Sequence, residues 1–339
     1  MEFKALAKDD IWNGGWYQPI VLPNGDKTKS SKWDSFHERD DFGERKWKRY
    51  IEPYLVGKDN FLDIGCNAGL HLILAEKYGY KNVYGIESFD YFYEQCQYVL
   101  KQFDSKSVTY MKNALDFDYD RFREMDTVLL ANTLYWIGYS DSGKYCENYD
   151  FRIKRFMRRL SFLTKRIVII GGEKVDRIGG SLEKTVPFVS EYFDIIKSEV
   201  IHTGHRILNI IVGDTKITEG VIGIDKMISR LKERGEYAQE FIETFGNLVD
   251  WYVKHKRWIG KYGDEFRGQV GNPDRVQAFC IQWLNLAKSI EENGLIKPIE
   301  IFNAEGKMEI DGWHRLMIMK ALGFDRIKYR ARKDAKLEL

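Results

Sequence analysis

The chain is short of cysteine: four in 339 residues, Cys66, Cys96, Cys146 and Cys280, and none forms a Cys-x-x-Cys pair. That spacing excludes a zinc ribbon and a disulfide framework, so the expected compartment is reducing, intracellular and cytoplasmic. No apolar run approaches a membrane span, and the opening MEFKALAKDDIWNGG lacks an apolar core of signal-peptide length. Charge of one sign is missing too. The 53 Lys and Arg face 51 Asp and Glu, and a net charge of +2 argues against a surface wholly devoted to nucleic acid. What remains is ordinary globular material, 44% hydrophobic and 31% charged, in a chain long enough for two cores.

One stretch organises the first two thirds. In residues 60–88, NFLDIGCNAGLHLILAEKYGYKNVYGIES, positions 61–64 read as a short buried strand, 65–69 as a tight turn, 70–77 as a helix and 82–86 as the next strand. Gly65 and Gly69 let the backbone leave the strand sharply and lie close to a ligand, where a Cβ would collide. The helix that follows opens with free N–H groups and the positive end of its dipole, suited to a carboxylate or a phosphate. Glu87, followed by Ser88, closes the second strand where a ribose would lie. A dinucleotide fingerprint is lacking, because Asn67 stands where Gly-x-Gly-x-x-Gly needs its second glycine.

With Asp63, Gly65, Gly69 and Glu87 in register, the stretch resembles motif I of the class I S-adenosylmethionine (SAM) methyltransferases. The resemblance implies an α/β, Rossmann-like sheet, with SAM held by Asp63, Gly65, Asn67, Gly69, Glu87 and Ser88. Further strands are expected at 107–111, 126–131, 166–170, 193–202 and 206–212, the last two as the antiparallel pair that finishes such a sheet. The wider superfamily places adenine-contacting residues after its third strand, here Asn113 and Ala114. Ligands of open α/β sheets sit beyond the carboxyl ends of the strands, so Asn132 to Trp136 should face the methyl group and its acceptor. Another reading makes Tyr135 and Trp136 core aromatics under a loop.

The segments WKRYIEPYL, LDIGCNAGLHLILA, YGIES and DTVLLANTLYWI together resemble, over 43–213, the family of the bacterial tRNA wobble-uridine enzyme that makes 5-oxyacetyluridine. By that resemblance Lys46 and Trp47, as cofactor-binding residues, match a Lys-Trp pair just before the sheet whose lysine helps hold a carboxylated SAM, Tyr135 matches an active-site tyrosine, and Arg206 an arginine reaching the substrate site. Arg206 also reads as a surface residue at a strand start. The family's remaining residues for a carboxylated SAM are not found, so ordinary SAM is expected. The Asp-Pro-Pro-Tyr type motif of amino-methylating DNA enzymes is absent as well, which favours a hydroxyl or phosphate oxygen as acceptor. Candidate bases are His37, His71, Tyr135 and Asp116. His71 reads first as a satisfied helix residue.

The amphipathic helix at 151–165 carries a basic cluster that is a solvated face or a landing site for a polyanion. Residues 1–58 read as a lead-in with a hairpin at Asn24-Gly25, residues 59–213 as the SAM-binding domain, residues 214–270 as a helical linker region, and residues 271–339 as a second domain. The last contains LAKSIEENGLIKPIEIFNAEGKMEIDGWHRLMIMKALGFDRIKYR, which resembles the ParB/sulfiredoxin-like domain. Gly312, His314 and Arg315, at the start of a helix, then form a phosphate site suited to ATP or CTP with Mg2+. Asp311 would hold the magnesium or cap the helix. Three readings follow: an O-methyltransferase with a nucleotide- or phosphate-binding module, a nucleic-acid-associated binding protein, or a bifunctional kinase-methyltransferase acting on a sugar or nucleoside. The acceptor is tRNA or another nucleic acid, a glycan or a metabolite.

Overall fold

The computed structural model describes residues 16, 20–26, 28, 42–138, 145–172, 178–203, 206–224, 227–228, 286, 289–290, 298–304, 307–311, 313–322, 324 and 326–332. It divides into two compact units, Met1–Lys216 and Ile217–Leu339. In the first, helix α1 (Phe42–Tyr50) and a 3-10 turn at Glu52–Tyr54 lead into β1 (Asn60–Ile64), α2 (Leu70–Tyr78), β2 (Asn82–Glu87), α3 (Asp90–Gln102) and β3 (Val108–Met111). Then come β4 (Met125–Ala131), α4 (Tyr149–Leu163), β5 (Thr164–Gly172), α5 (Leu182–Ser190), β6 (Phe193–Thr203) and β7 (Arg206–Thr215).

These strands form one sheet in the order β3-β2-β1-β4-β5-β7-β6. β1 to β5 are mutually parallel, and β7 runs antiparallel between β5 and β6. The chain winds outward from β1 to β3 and restarts at β4, so the order reverses between β1 and β4. Ligands bind open α/β sheets in the crevice at such a reversal. The expected strands are all present, including the closing antiparallel pair.

Alternation along the strands sorts the side chains onto two faces. Phe61, Val83, Leu129, Val168 and Ile170 pack with Leu72 of α2 and Val99 of α3. Leu62, Ile64, Val128, Leu130, Ile167 and Ile169 pack with Phe156 and Leu160 of α4 and Val189 of α5. With both faces covered, β1 and β4 read as continuous apolar runs. The buried exceptions are informative. Asp126 enters β4 fully enough buried to need partners, and it accepts from the Asp59 and Asn60 amides (2.7 and 3.2 Å) and from Lys165 Nζ (2.7 Å). Asp63, on β1, is wholly buried and far less satisfied.

Two local expectations change. The helix expected at 151–165 begins two residues earlier and ends at Leu163, because β-branched Thr164 already pairs with Met125 as the first residue of β5. The stretch 217–223, expected as linker, is a strand. In the second unit β8 (Ile217–Gly223), β9 (Ile299–Ala304), β10 (Lys307–Asp311), α6 (Trp313–Ala321) and β11 (Arg326–Arg332) give a sheet ordered β10-β9-β11-β8. β8 pairs antiparallel with β11, Ile217 opposite Arg332 through Gly223 opposite Arg326. The glycines at 220 and 223 suggest a break, but a partner strand a hundred residues away supplies the ladder.

Candidate donor and acceptor site

The crevice at the strand-order reversal is built from the two loops that leave β1 and β4. Gly65 adopts φ 77°, Asn67 φ 48° and Gly69 φ 81°, so three residues in five are left-handed. That bends the chain from β1 into α2, with the Gly65 amide donating to the Ile86 carbonyl (2.7 Å) and Gly69 capping α2. Asn67 tolerates its conformation because its side-chain carbonyl accepts from the next amide, Ala68 N–H, at 2.7 Å. A Cβ on Gly65 would overlap Thr133 Oγ1 and lie 2.5 Å from its Cγ2. The two loops therefore touch at this point, and only a glycine lets them.

Glu87, at the end of β2, is 5% exposed and gripped by backbone. Its Oε1 accepts from the Ser88 and Phe89 amides (2.8 and 3.0 Å), and its Oε2 accepts from Asn67 N–H (2.9 Å). Burial pushes its pKa above the usual carboxylate range, the three amides pull the other way, and the Asp63 charge adds to the rise. The carboxylate thus ties the glycine turn to β2 and fixes its own orientation at the crevice. Three of its four lone-pair sites are thus taken, and the one left, on Oε2, can accept from a hydroxyl.

Asp63 is 0% exposed. Its Oδ2 lies 3.3 Å from His71 Nδ1, on the first turn of α2, and its Oδ1 has no hydrogen-bond partner among the described residues. A buried acceptor left without a donor costs about 1–3 kcal/mol, and more when charged. The Cys66 thiol is pushed well above its usual pKa by a bond to the Cys96 thiol, by burial and by the Asp63 and Glu87 charges. It is held protonated and unsuited to nucleophilic work.

Beyond β4, Asn132 is left-handed (φ 57°) and donates from its amide to the Ile170 carbonyl (2.6 Å). One helical turn follows, closed by Trp136 N–H to the Thr133 carbonyl (2.8 Å). It brings Asn132 Oδ1 and the Tyr135 hydroxyl together at the carboxyl end of β5, where they would stand 3.8 and 3.9 Å from a Cβ on Gly172. Arg206 begins β7 opposite Thr203, two residues from the Leu208–Gly172 pair, at that same end of the sheet.

The residues singled out from sequence thus fall into groups. Asp63, Gly65, Asn67, Gly69, Glu87, Asn132 and Tyr135 lie at the carboxyl ends of β1, β2 and β4 or in the turns that follow them, with Tyr135 buried. Ser88 is exposed next to Glu87 and contributes its amide to it. Asn113 is exposed and accepts from the Leu115 amide (2.9 Å), Ala114 is buried, and Asp116 pairs with Arg152 (2.5 Å). Trp47 is 2% exposed and packs edge-on against Phe61 and beside His71, while Lys46 is half-buried. In the second unit Arg315 is half-buried in the first turn of α6. His37, Gly312 and the side chains of Arg206 and His314 lie outside the described residues. Thr133 falls within the expected stretch Asn132 to Trp136, but neither its contact with Gly65 nor the place of Gly172 is expected, since nothing local marks a contact made across the sheet. Among the described residues no group of three or more His, Cys, Asp or Glu could hold a metal ion, and no helix is long and apolar enough to cross a membrane.

No protein-family model matches the chain, and neither does any curated protein. Among solved structures it is similar to the N-terminal domain of EvdMO1 with SAH bound, at 11% identity and a TM-score of 0.41 over 59% of this chain and 91% of that one. It is similar to the bifunctional kinase-methyltransferase WbdD at 14% identity and 0.41 over 55% of this chain and 42% of that one. The N-methyltransferase NodS from Bradyrhizobium japonicum WM9 gives 13% and 0.41 over 54% and 98%. These are distant likenesses, each over little more than half of this chain.

Proposed function

We propose that the chain is a SAM-dependent methyltransferase acting on an oxygen nucleophile. One observation carries the reading: the left-handed Gly65–Asn67–Gly69 turn lies at the strand-order reversal between two buried carboxylates, one of them with an unshared oxygen. The fit to SAM is chemical. Asp63 Oδ1 needs a donor, and an α-ammonium supplies one with charge. Glu87 is a fixed acceptor whose Oε2 keeps a site for a ribose hydroxyl, and the amides opening α2 suit the ligand's carboxylate. Asn113 and Ala114 border the adenine, with Lys46 half-buried on the helix before the sheet.

When bound, the cofactor would supply a methyl group on a positively charged sulfur, a donor suited to in-line displacement by an oxygen. The chain's own work is placement. Holding donor and acceptor in line contributes on the order of 7 kcal/mol in good cases. Asn132 and Tyr135, converging at the end of β5, orient the acceptor, and the Tyr135 hydroxyl accepts a hydrogen bond from the acceptor's O–H, whose proton is released to solvent as the new C–O bond forms. Arg206, at that end of the sheet, suits a phosphate-bearing acceptor. The acceptor is a hydroxyl- or phosphate-bearing nucleic acid, glycan or metabolite, and the sequence resemblance favours the tRNA wobble-uridine family.

The proposal extends to the second unit. β9 and β10 form a hairpin that leads into α6, with Asp311 ending β10 and Arg315 in the helix's first turn, an order suited to a ParB/sulfiredoxin-like module that binds a nucleotide or phosphate. Calorimetric titration of the full chain with SAM and SAH tests the first part, with Asp63→Asn and Glu87→Ala as controls. Absence of binding to wild type sinks it. ATP and CTP, with and without Mg2+, titrated into Arg315→Ala and wild type test the second.

A further inference from the structure

His71 does more than fill the core. It sits on the first turn of α2, 9% exposed, with its ring between the Trp47 indole (centroids 6.0 Å apart, planes at 31°) and the Asp63 carboxylate. Trp47 is itself set against Phe61 of β1 (5.9 Å), so the imidazole is held from behind by the sheet face. A carboxylate oxygen only accepts, so His71 Nδ1 carries the proton in the 3.3 Å contact to Oδ2. Occupying Oδ2 fixes the rotation of a fully buried carboxylate and leaves Oδ1 as its one unshared oxygen. Among the described residues, the Glu87 carboxylate and the Cys66 thiol also interact with Asp63, and neither supplies a positive charge.

We infer that His71 is a positioning residue for the amino-acid half of the donor: it holds Asp63 so that Oδ1 receives an α-ammonium, and Trp47 acts one step behind by holding His71. The inference rests on the methyl-donor reading above. It makes the Asp63–His71 pair a specificity device, selecting adenosyl ligands that carry an amino acid over those that do not.

The test is calorimetric titration of wild type, Asp63→Asn, His71→Leu and His71→Asn with SAH, which has the α-ammonium, and with 5′-methylthioadenosine, which has the adenosine and thioether but no amino acid. Asp63→Asn and His71→Leu should each weaken SAH by about tenfold or more, the worth of one charge-assisted hydrogen bond, and leave methylthioadenosine unchanged. His71→Asn, whose amide nitrogen can stand where Nδ1 stood, should keep the wild-type ratio of the two affinities. A His71→Leu protein that weakens both ligands alike, or neither, overturns the inference while leaving the donor reading intact. Wild type binding neither ligand overturns both. If His71→Leu does not fold, His71→Asn decides: a retained ratio supports the role, and a ratio collapsed toward that of Asp63→Asn contradicts it.

Discussion

Replacing Gly65 by alanine should damage the protein through two separable effects. The first is backbone: at φ 77° an L residue sits in the left-handed region, at a cost of about 1–2 kcal/mol. The second is steric. The new methyl would overlap Thr133 Oγ1 and lie 2.5 and 3.0 Å from Thr133 Cγ2 and Cβ, and Thr133 is not free to yield, because its hydroxyl donates to the Ala131 carbonyl (3.1 Å) and its own carbonyl holds the turn below. Overpacking of this kind costs about 1–3 kcal/mol, so the sum is about 2–5 kcal/mol. For a unit of this size that is a fall of roughly 5–20 °C in the midpoint of thermal unfolding. Gly79 provides the control: it is also left-handed (φ 105°), but its Cβ would meet nothing nearer than Lys58 Cδ at 3.9 Å, so Gly79→Ala carries the backbone cost alone. Thr133→Ala removes Oγ1 and Cγ2, and in a double-mutant cycle with Gly65→Ala it should recover about 1–2 kcal/mol. The assay is thermal unfolding, followed by circular dichroism, of five proteins: wild type, the three single variants and the Gly65→Ala/Thr133→Ala double variant. A Gly65→Ala protein no less stable than Gly79→Ala, or a cycle with no coupling, would refute the claim that the loops after β1 and β4 meet here.

Asp126→Ala should cost about 1–3 kcal/mol at neutral pH, since it takes the shared acceptor from the part-buried Asp59 and Asn60 amides and from Lys165 Nζ. Burial raises the Asp126 pKa, but the Lys165 bond and the two amides outweigh it and leave it below the ordinary value of 3.8, so its contribution is present above that value and lost as pH falls through the folded one. An acid titration of stability that is equally steep in wild type and variant below about pH 4 contradicts this. Glu87→Ala should weaken both SAH and methylthioadenosine by about tenfold or more, because both carry the ribose. Unchanged affinity for methylthioadenosine would remove Glu87 from the ribose site. Tyr135→Phe should leave SAH affinity within about twofold and lower methyl transfer by about tenfold or more once an acceptor is in hand. Loss of SAH binding instead would move Tyr135 to the donor side.

What could be read from the sequence is what lies close together in it. The β1–α2–β2 unit spans fewer than thirty residues, and its glycines, its acidic strand end and its apolar strand all report local geometry, so the donor turn was legible. The left-handed Asn67 was half legible: its mismatch with a dinucleotide fingerprint was visible, its conformation was not. Contacts across the sheet left no such trace. Thr133 faces Gly65 over nearly seventy residues, and β8 pairs with β11 over a hundred, so the first was missed and the second read as linker. His71 looked like a plain helix residue because its partner, Asp63, is one turn and one strand away, and a histidine's role depends on what it faces.

The account stands on whether the crevice between β1 and β4 takes the methyl donor. Calorimetric titration of the full chain with SAH asks this most directly. Saturable one-to-one binding to wild type, weakened about tenfold or more in Asp63→Asn and in Glu87→Ala, is the predicted result. A flat titration with folded wild-type protein, or binding that neither carboxylate variant alters, would contradict it.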